Sequence, residues 1–221
     1  MLSHGFLKQV ININKINEIF LKVKKHFEKE ISNSETYFDG IHLLFPESLD
    51  LIDNKIDKLI KNLLGTNNVN LENVELHILN PKKSSIPPHQ DNFYHCINPQ
   101  DGLKILIPFD ELNNSSGSLN FYDCENNYPT LKHEASKTKN FSAYIPDIVI
   151  RKLNLTTTCY TYNKGDASYH FLSSIHFSKG NISKKSKYFI VFRFQKAEAI
   201  VKKNEVIKYE NTRKEHLKII N

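Results

Sequence analysis

Few cysteines and no long apolar run are the first features of this chain of 221 residues. The three cysteines, Cys96, Cys124 and Cys159, are odd in number and far apart, without CxxC spacing, so we expect reduced thiols rather than a disulfide framework. No run of about 18 apolar residues occurs, and the N-terminus lacks the cationic start and apolar core of a signal peptide. We therefore expect a soluble cytoplasmic protein with no membrane partner.

The composition is that of an ordinary globular chain, with 39% hydrophobic and 24% charged residues. Its length fits a single domain over residues 1–221. The net charge of +6 could indicate an anionic partner such as nucleic acid. Basic residues alternate with acidic ones along the chain, however, which favours an ordinary solvated surface.

Helical periodicity comes first along the chain. One amphipathic stripe comprises Ile16, Ile19, Phe20, Val23, Phe27 and Ile31. A second stripe runs from Leu49 to Leu63, with Ser48 as the expected N-cap and Gly65 as the expected C-terminal stop. These patterns predict a helical part over about residues 1–68.

Alternating or short apolar runs follow and predict strands. They are Val74–Ile78, Leu103–Ile107, Ser118–Tyr122, Thr158–Tyr162 and Tyr188–Phe194. We expect an α+β, mainly β chain whose β core, about residues 73–197, forms a sandwich or a double-stranded β-helix. Residues 125–155 are expected to form a long loop, and the charged tail, about residues 198–221, is expected to form a peripheral helix.

His89 and Asp91 form the most informative local motif. Side chains alternate along an extended chain, so these two residues should point to the same side and grip one ion together. A third ligand, a second imidazole, would complete a set that leaves positions open on iron for oxygen chemistry. The segment Gly165–Asn181 offers two candidates, His170 and His176, which we expect to lie on one strand with their side chains on the same side.

The ordered set of motifs resembles the phytanoyl-CoA dioxygenase-like family of iron(II)/2-oxoglutarate dioxygenases. The resemblance covers residues 74–194 and rests on these matches: His89-Gln-Asp91, Ile105-Leu-Ile-Pro-Phe-Asp110, Gly117-Ser-Leu119, Gly165-Asp166 and His176-Phe-Ser178-Lys-Gly-Asn181. It implies a jelly-roll, cupin-like core and an enzyme that uses Fe(II), 2-oxoglutarate and O2. It also implies that His89, Asp91 and His176 are the catalytic metal ligands, with His176 preferred to His170.

The same resemblance implies a basic side chain for the far carboxylate of 2-oxoglutarate. The family position, eleven residues after the distal histidine, holds Lys187 here instead of arginine. Lysine supplies the charge without the two-pronged contact of a guanidinium. Arg193 is the second choice, and Ser178 matches a hydroxyl that can assist the same carboxylate.

The expected reaction is hydroxylation of a C–H bond of a small-molecule substrate, with succinate and CO2 as co-products. Related halogenases replace the carboxylate ligand by a small residue, so Asp91 favours hydroxylation. A nucleic-acid demethylase is the alternative enzyme, although no basic cluster lies near the motif. A non-catalytic β-sandwich that binds a metal or ligand is the alternative outside enzymes. The segment after Leu119 departs from the family, which leaves the substrate open.

Several residues near the motif keep two interpretations. Lys104 could face inward toward an anion or outward into solvent. The remaining side chains are expected to be mainly structural, namely the aromatic residues Phe93, Tyr94, Phe121 and Tyr122 and the histidines His77, His95 and His133.

Overall fold

The computed structural model describes residues 1–31, 37–82, 85–138 and 141–220. The helices, in chain order, are α1 (Ile13–Ile31), α2 (Ile41–Leu44), α3 (Asn54–Leu64), α4 (Asn92–His95), α5 (Asp147–Leu153) and α6 (Lys203–Ile220), with a 3-10 helix at Pro46–Leu51. The strands are β1 (His4–Leu7), β2 (Tyr37–Phe38), β3 (Val69–Leu79), β4 (Ile86–Gln90), β5 (Gly102–Pro108), β6 (Leu119–Tyr122), β7 (Glu134–Ala135), β8 (Ala143–Tyr144), β9 (Thr157–Cys159), β10 (Ala167–Phe171), β11 (Ile175–Ser178) and β12 (Lys187–Lys196).

Two antiparallel sheets form the β core. The larger has the strand order β1-β10-β5-β12-β3-β2, and the smaller has the order β4-β11-β6-β9. Strands β3, β4, β5 and β6 alternate between the two sheets along the chain, and so do β9, β10, β11 and β12. This alternation is that of a jelly roll, so the expected double-stranded β-helix is confirmed.

The larger sheet buries both of its faces. Leu103, Ile105 and Ile107 of β5 pack outward with Ile16 and Val23 of α1 in one apolar cluster. The alternate side chains point between the sheets, where Leu79, Leu106, Phe189 and Val191 form a second cluster with Leu112 and Tyr162. Period-two alternation thus divides the sheet into a helix-covered face and an interior face.

The helical stripe of α1 is confirmed at Ile16, Ile19, Val23 and Phe27, which are buried. The side chain of Ile31 lies outside the described part of the chain. The predicted N-cap Ser48 is wrong, because Ser48 lies inside the 3-10 helix and Asp53 caps α3 by accepting hydrogen bonds from the Lys55 and Ile56 amides.

The end of α3 follows the sequence. Gly65 adopts the left-handed conformation, with φ of 69°, and forms the C-cap of α3, as predicted. The N-terminal part is not purely helical, since β1 pairs with β10 at the edge of the larger sheet. A short strand of four residues gives too little alternation to be recognised from sequence.

The remaining segments surround the core. Residues 125–155, expected to form a long loop, contain the β7–β8 hairpin and α5 in their described portion. The charged tail forms α6, which packs against α4 and the hairpin strands β7 and β8. Within the described ranges, no helix has both the length and the apolar character needed to cross a membrane.

Candidate active site

His89 and Asp91 lie where β4 leaves the smaller sheet. His89 belongs to the strand, whereas Asp91 follows its end and has helical dihedrals, φ of −60° and ψ of −31°, at the N-cap position of α4. Strict strand alternation therefore does not orient Asp91, contrary to the argument from sequence. The turn into α4 nevertheless brings its carboxylate to the imidazole of His89, with 3.9 Å between Nε2 and Oδ1.

His176 completes a three-residue group. It lies on β11 directly opposite His89 in the register of the β4–β11 pair. One ligand atom from each of His89, Asp91 and His176 lies within 4.8 Å of the other two, and all three residues are buried. The two histidines are 87 positions apart in the sequence and are brought together by the pairing of neighbouring strands.

Backbone carbonyls orient both imidazoles. The Nδ1 atom of His89 is 3.0 Å from the Pro87 carbonyl oxygen, and Nδ1 of His176 is 3.0 Å from the Ser174 carbonyl oxygen. A carbonyl only accepts, so each Nδ1 carries the proton and each Nε2 presents a lone pair. Both Nε2 atoms face Asp91 at 3.9 Å, which is too long for a hydrogen bond.

His170 has a different role from that of His176. The two residues were expected on one strand, but they lie on β10 and β11, in different sheets. His170 Nε2 lies 3.2 Å from Asp91 Oδ2 and donates a hydrogen bond to it. His170 therefore contacts the carboxylate from the larger sheet and is not one of the three grouped ligands.

The Asp91 carboxylate is held ionised by its surroundings. Burial alone would raise the pKa of Asp91, but the Lys104 cation and the His170 hydrogen bond outweigh burial and hold this pKa well below its usual range. Lys104 Nζ is 3.5 Å from Asp91 Oδ2. The contact confirms the inward orientation of Lys104, which the sequence left open.

The grouped imidazoles are neutral at physiological pH. Burial lowers the pKa of His89, against the attraction of Asp91. Burial also holds the pKa of His176 well below its usual value, and the neighbouring His89 lowers it further. Two neutral imidazoles and one carboxylate form the donor set that suits non-haem iron(II), so the chemistry of these residues fits that ion.

A second buried carboxylate, Glu75, was not singled out from the sequence. Its Oε2 atom lies 3.4 Å from Lys104 Nζ and 3.2 Å from His77 Nε2. Burial opposes ionisation, but the Lys104 cation and His77 lower the pKa of Glu75 to about 2. Lys104 thus bridges two carboxylates in the space between the two sheets, the interior of the jelly-roll barrel. Both carboxylates raise the pKa of Lys104. Alternation in β3 could have marked Glu75 as an interior acid.

The three histidines that the sequence predicts to be structural, His77, His95 and His133, do not join the group. His77 pairs with Glu75, as described above. His133 accepts the Gln90 amide hydrogen bond at Nε2 and donates from Nδ1 to the Leu131 carbonyl, so it supports the loop beside β4. His95 is half-buried, and its burial together with the Lys104 and Arg193 cations lowers its pKa to about 4.

Aromatic side chains enclose the group. The ring of Phe121 lies 5.8 Å from that of His176, and the ring of Phe141 lies 4.6 Å from that of His89. Tyr94 lies 6.3 Å from His89 and donates a hydrogen bond from its hydroxyl to the Ala143 carbonyl. Phe121 is fully buried, so it serves the core and the wall of the site together.

The other two aromatic candidates, Phe93 and Tyr122, contact rings outside the ligand group. Phe93 stacks on His133 at 4.2 Å, and Tyr122 packs 5.5 Å from Phe177. Tyr209 of α6 contacts Phe93 and Tyr94 at 6.0 and 5.7 Å between ring centres. The C-terminal helix therefore buttresses the turn that carries Asp91.

The three predicted cosubstrate residues are distributed along the barrel. Lys187 is the first residue of β12 and lies opposite Leu79 of β3. Arg193 lies opposite Lys104 of β5, which is the residue that contacts Asp91. The hydroxyl of Ser178 donates to the Gly117 carbonyl and accepts from the Gly180 amide. Its proton is therefore committed to the backbone, and the roles of all three residues remain predictions.

Comparisons with known proteins establish the fold. No protein-family model matches the sequence, and no curated protein matches it. Among solved structures, EvdO2 from Micromonospora carbonacea var. aurantiaca has a TM-score of 0.75 at 16% identity, over 91% of this chain and 89% of that chain. The epimerase SnoN, in complex with Fe3+, alpha ketoglutarate and nogalamycin RO, has a TM-score of 0.74 at 14% identity, over 91% and 82%.

EctD from S. alaskensis, in its apo form, is similar in the same way, with a TM-score of 0.73 at 14% identity over 91% of this chain and 76% of that chain. At such identities the likeness shows that the chains share a fold. The chemistry of the present chain has to be argued from its own side chains.

Proposed function

We propose that this chain is a mononuclear non-haem iron(II) enzyme that uses 2-oxoglutarate and dioxygen to oxidise a small-molecule substrate. The observation that carries the proposal is the convergence of two Nε2 lone pairs and one ionised carboxylate, all buried, within 4.8 Å. When bound, iron(II) with 2-oxoglutarate supplies the activation of dioxygen that oxidises a C–H bond, with succinate and CO2 as co-products.

The residues of the chain have separate tasks in this proposal. His89, Asp91 and His176 hold the ion, while the Pro87 and Ser174 carbonyls fix the two imidazole tautomers. Phe121 and Phe141 exclude water from the ligand side of the site, since their rings lie against the imidazoles. The protein thereby contributes positioning and a dry surrounding.

Asp91 is central to the choice of reaction. His170 and Lys104 both contact its Oδ2 atom, which leaves Oδ1 facing His89. We propose hydroxylation because this carboxylate occupies the position that related halogenases leave to a small residue. The structural neighbours include an epimerase and a carbocyclase, so product analysis is needed to establish the outcome.

Lys187 is the proposed anchor for the far carboxylate of 2-oxoglutarate. It points to the interior face of β12, since Phe189 and Val191, with the same parity, belong to the interior cluster. Arg193 shares that parity but lies six residues farther along the strand, roughly 20 Å at about 3.3 Å per residue. Because of this distance, Lys187 and Arg193 cannot both contact the far carboxylate of the same bound 2-oxoglutarate molecule.

The test of the proposed function is formation of succinate. Protein loaded with iron(II) under argon is mixed with 2-oxoglutarate and oxygenated buffer, and succinate is measured by mass spectrometry. We expect slow succinate formation in the wild type even without substrate and none in Asp91→Ala. Iron-loaded wild type that forms no succinate with any candidate small molecule would favour the non-catalytic binding module.

The anchor is tested by binding of 2-oxoglutarate, measured by calorimetry on the anaerobic iron(II) protein. Lys187→Gln should weaken binding at least about tenfold, because it removes a charge-assisted contact. Arg193→Gln should change it by less than about threefold. The reverse order would move the anchor to Arg193.

A further inference from the structure

Two cations lie side by side on the interior face of the larger sheet. Lys104 of β5 is directly opposite Arg193 of β12 in the strand register. The neighbours of Arg193 in sequence, Phe192 and Phe194, belong to the helix-covered cluster, so Arg193 points to the interior. Lys104 contacts Asp91, which puts this pair of cations beside the proposed metal ligands.

The two cations differ in their partners. Lys104 contacts Glu75 at 3.4 Å and Asp91 at 3.5 Å. Arg193 makes no hydrogen bond or ion pair within the described part of the chain, and its Nε atom is buried without an acceptor. A buried N–H group without an acceptor is costly and uncommon in proteins, so an unpaired guanidinium next to a reactive site indicates a missing anion.

No carboxylate among the described residues forms an ion pair with Arg193 that would supply this anion. His95, which interacts electrostatically with both cations, is neutral at physiological pH because burial and these cations lower its pKa to about 4. Glu75 and Asp91 are both committed to Lys104. With a divalent ion at the ligands and dianionic 2-oxoglutarate against Lys187, the unbalanced charge is the single positive charge of Arg193.

We propose that Arg193 binds a carboxylate group of the substrate, which makes the substrate a small organic acid. This inference rests on the proposed function and names the substrate class for the same site. A guanidinium offers two parallel N–H donors that match a carboxylate, and one uncompensated positive charge matches a monoanion. Arg193 is only half-buried, so a molecule entering from solvent can reach it.

The chain makes this proposal directly measurable, because it contains three arginines, Arg151, Arg193 and Arg213. Their Nε–H groups give separate signals in a nitrogen-15 correlation spectrum, and Arg193→Lys assigns one of them. The protein is loaded with zinc(II), which keeps the site diamagnetic, and with saturating 2-oxoglutarate. Benzoate and acetate are then titrated in, with benzamide and acetamide as uncharged counterparts and inorganic phosphate as a second anion.

We expect the carboxylates to shift the Arg193 signal saturably, while the amides do not. The exposed Arg151 and Arg213 serve as internal controls and should not respond. Arg193→Lys should weaken benzoate binding at least about tenfold, since it retains the charge but loses the planar fork. The exposed control Arg213→Lys should bind benzoate like the wild type.

Three results would overturn the assignment. They are equal responses at all three arginines, no response of Arg193 to any carboxylate, or a response to phosphate alone. Competition between benzoate and 2-oxoglutarate for Arg193 would also overturn it, because Arg193 would then belong to the cosubstrate site. Failure to bind zinc(II) or 2-oxoglutarate at all would instead refute the proposed function. Calorimetry on the same sample measures these two binding reactions independently of the arginine signals.

Discussion

Lys104 lies with its ammonium 3.5 Å from Asp91 Oδ2 and 3.4 Å from Glu75 Oε2, so one inward-facing cation joins a proposed metal ligand to a second carboxylate. Without metal, this cation keeps both acids ionised inside the barrel. A divalent ion bound to Asp91 would take over part of that task. The stability of the protein and its metal binding are therefore linked through Lys104.

Replacing Lys104 by methionine should destabilise the metal-free protein by about 3 kcal/mol, because two buried carboxylates lose their shared cation. Urea unfolding measures the change. Zinc(II) should restore part of the loss, and the double variant Lys104→Met with Glu75→Gln should be more stable than Lys104→Met alone. Wild-type stability of Lys104→Met without metal would show that the contact contributes nothing.

The capping of α3 predicts a contrast between two polar residues. Asp53→Ala should lower the free energy of unfolding by about 1 kcal/mol, because two amides at the helix start lose their acceptor. Ser48→Ala is the matched control, since the Ser48 hydroxyl is buried without a hydrogen-bond partner, and it should cost less than about 0.5 kcal/mol. Equal losses in denaturant melts would argue against Asp53 as the cap.

His133 predicts a dependence of stability on pH. Burial lowers the pKa of His133 to about 4 from its usual value of 6.5, so the unfolded chain takes up a proton in this range before the folded chain does. The contribution of His133 is therefore complete above pH 6.5 and is lost as the pH falls toward 4. Protonation would also remove the acceptor for the Gln90 amide.

The variant His133→Gln carries no titrating ring at this position. Its free energy of unfolding should fall less steeply than that of the wild type between about pH 6.5 and 4, as measured by urea titrations at several pH values. Other buried histidines contribute to both proteins, so the comparison rests on the difference between the two slopes. Identical slopes would mean that His133 does not titrate in this window.

Much of the fold follows from local patterns. Alternation in the segments around Val74, Ile105 and Phe192 gave β3, β5 and β12, the central strands of the larger sheet. The His89 and Asp91 motif is also local, so the proximity of its two side chains could be predicted from the sequence. The third residue, His176, depended on the family resemblance, because strand pairing across the barrel cannot be deduced from spacing.

The errors have physical causes. His170 and His176 were expected on one strand because the turn between them, Leu172-Ser173-Ser174, has neither glycine nor proline to mark it. Tertiary hydrogen bonds hold it instead, from the Leu172 amide to the Gly102 carbonyl and from the Asn92 amide to the Leu172 carbonyl. Alternation in β3 could have marked Glu75 as an interior acid, but its contact with Lys104 joins two strands remote in sequence and could not be deduced from spacing.

Retention of iron(II) by two histidine variants tests the central claim most directly. Wild type, His176→Ala and His170→Ala are loaded under argon, desalted and analysed for iron, with circular dichroism to check the fold. The wild type should keep its iron, His176→Ala should lose it, and His170→Ala should keep most of it, because that histidine contacts Asp91 without being a ligand. Iron kept by His176→Ala but lost by His170→Ala, or no iron in a folded wild type, would contradict the proposed site.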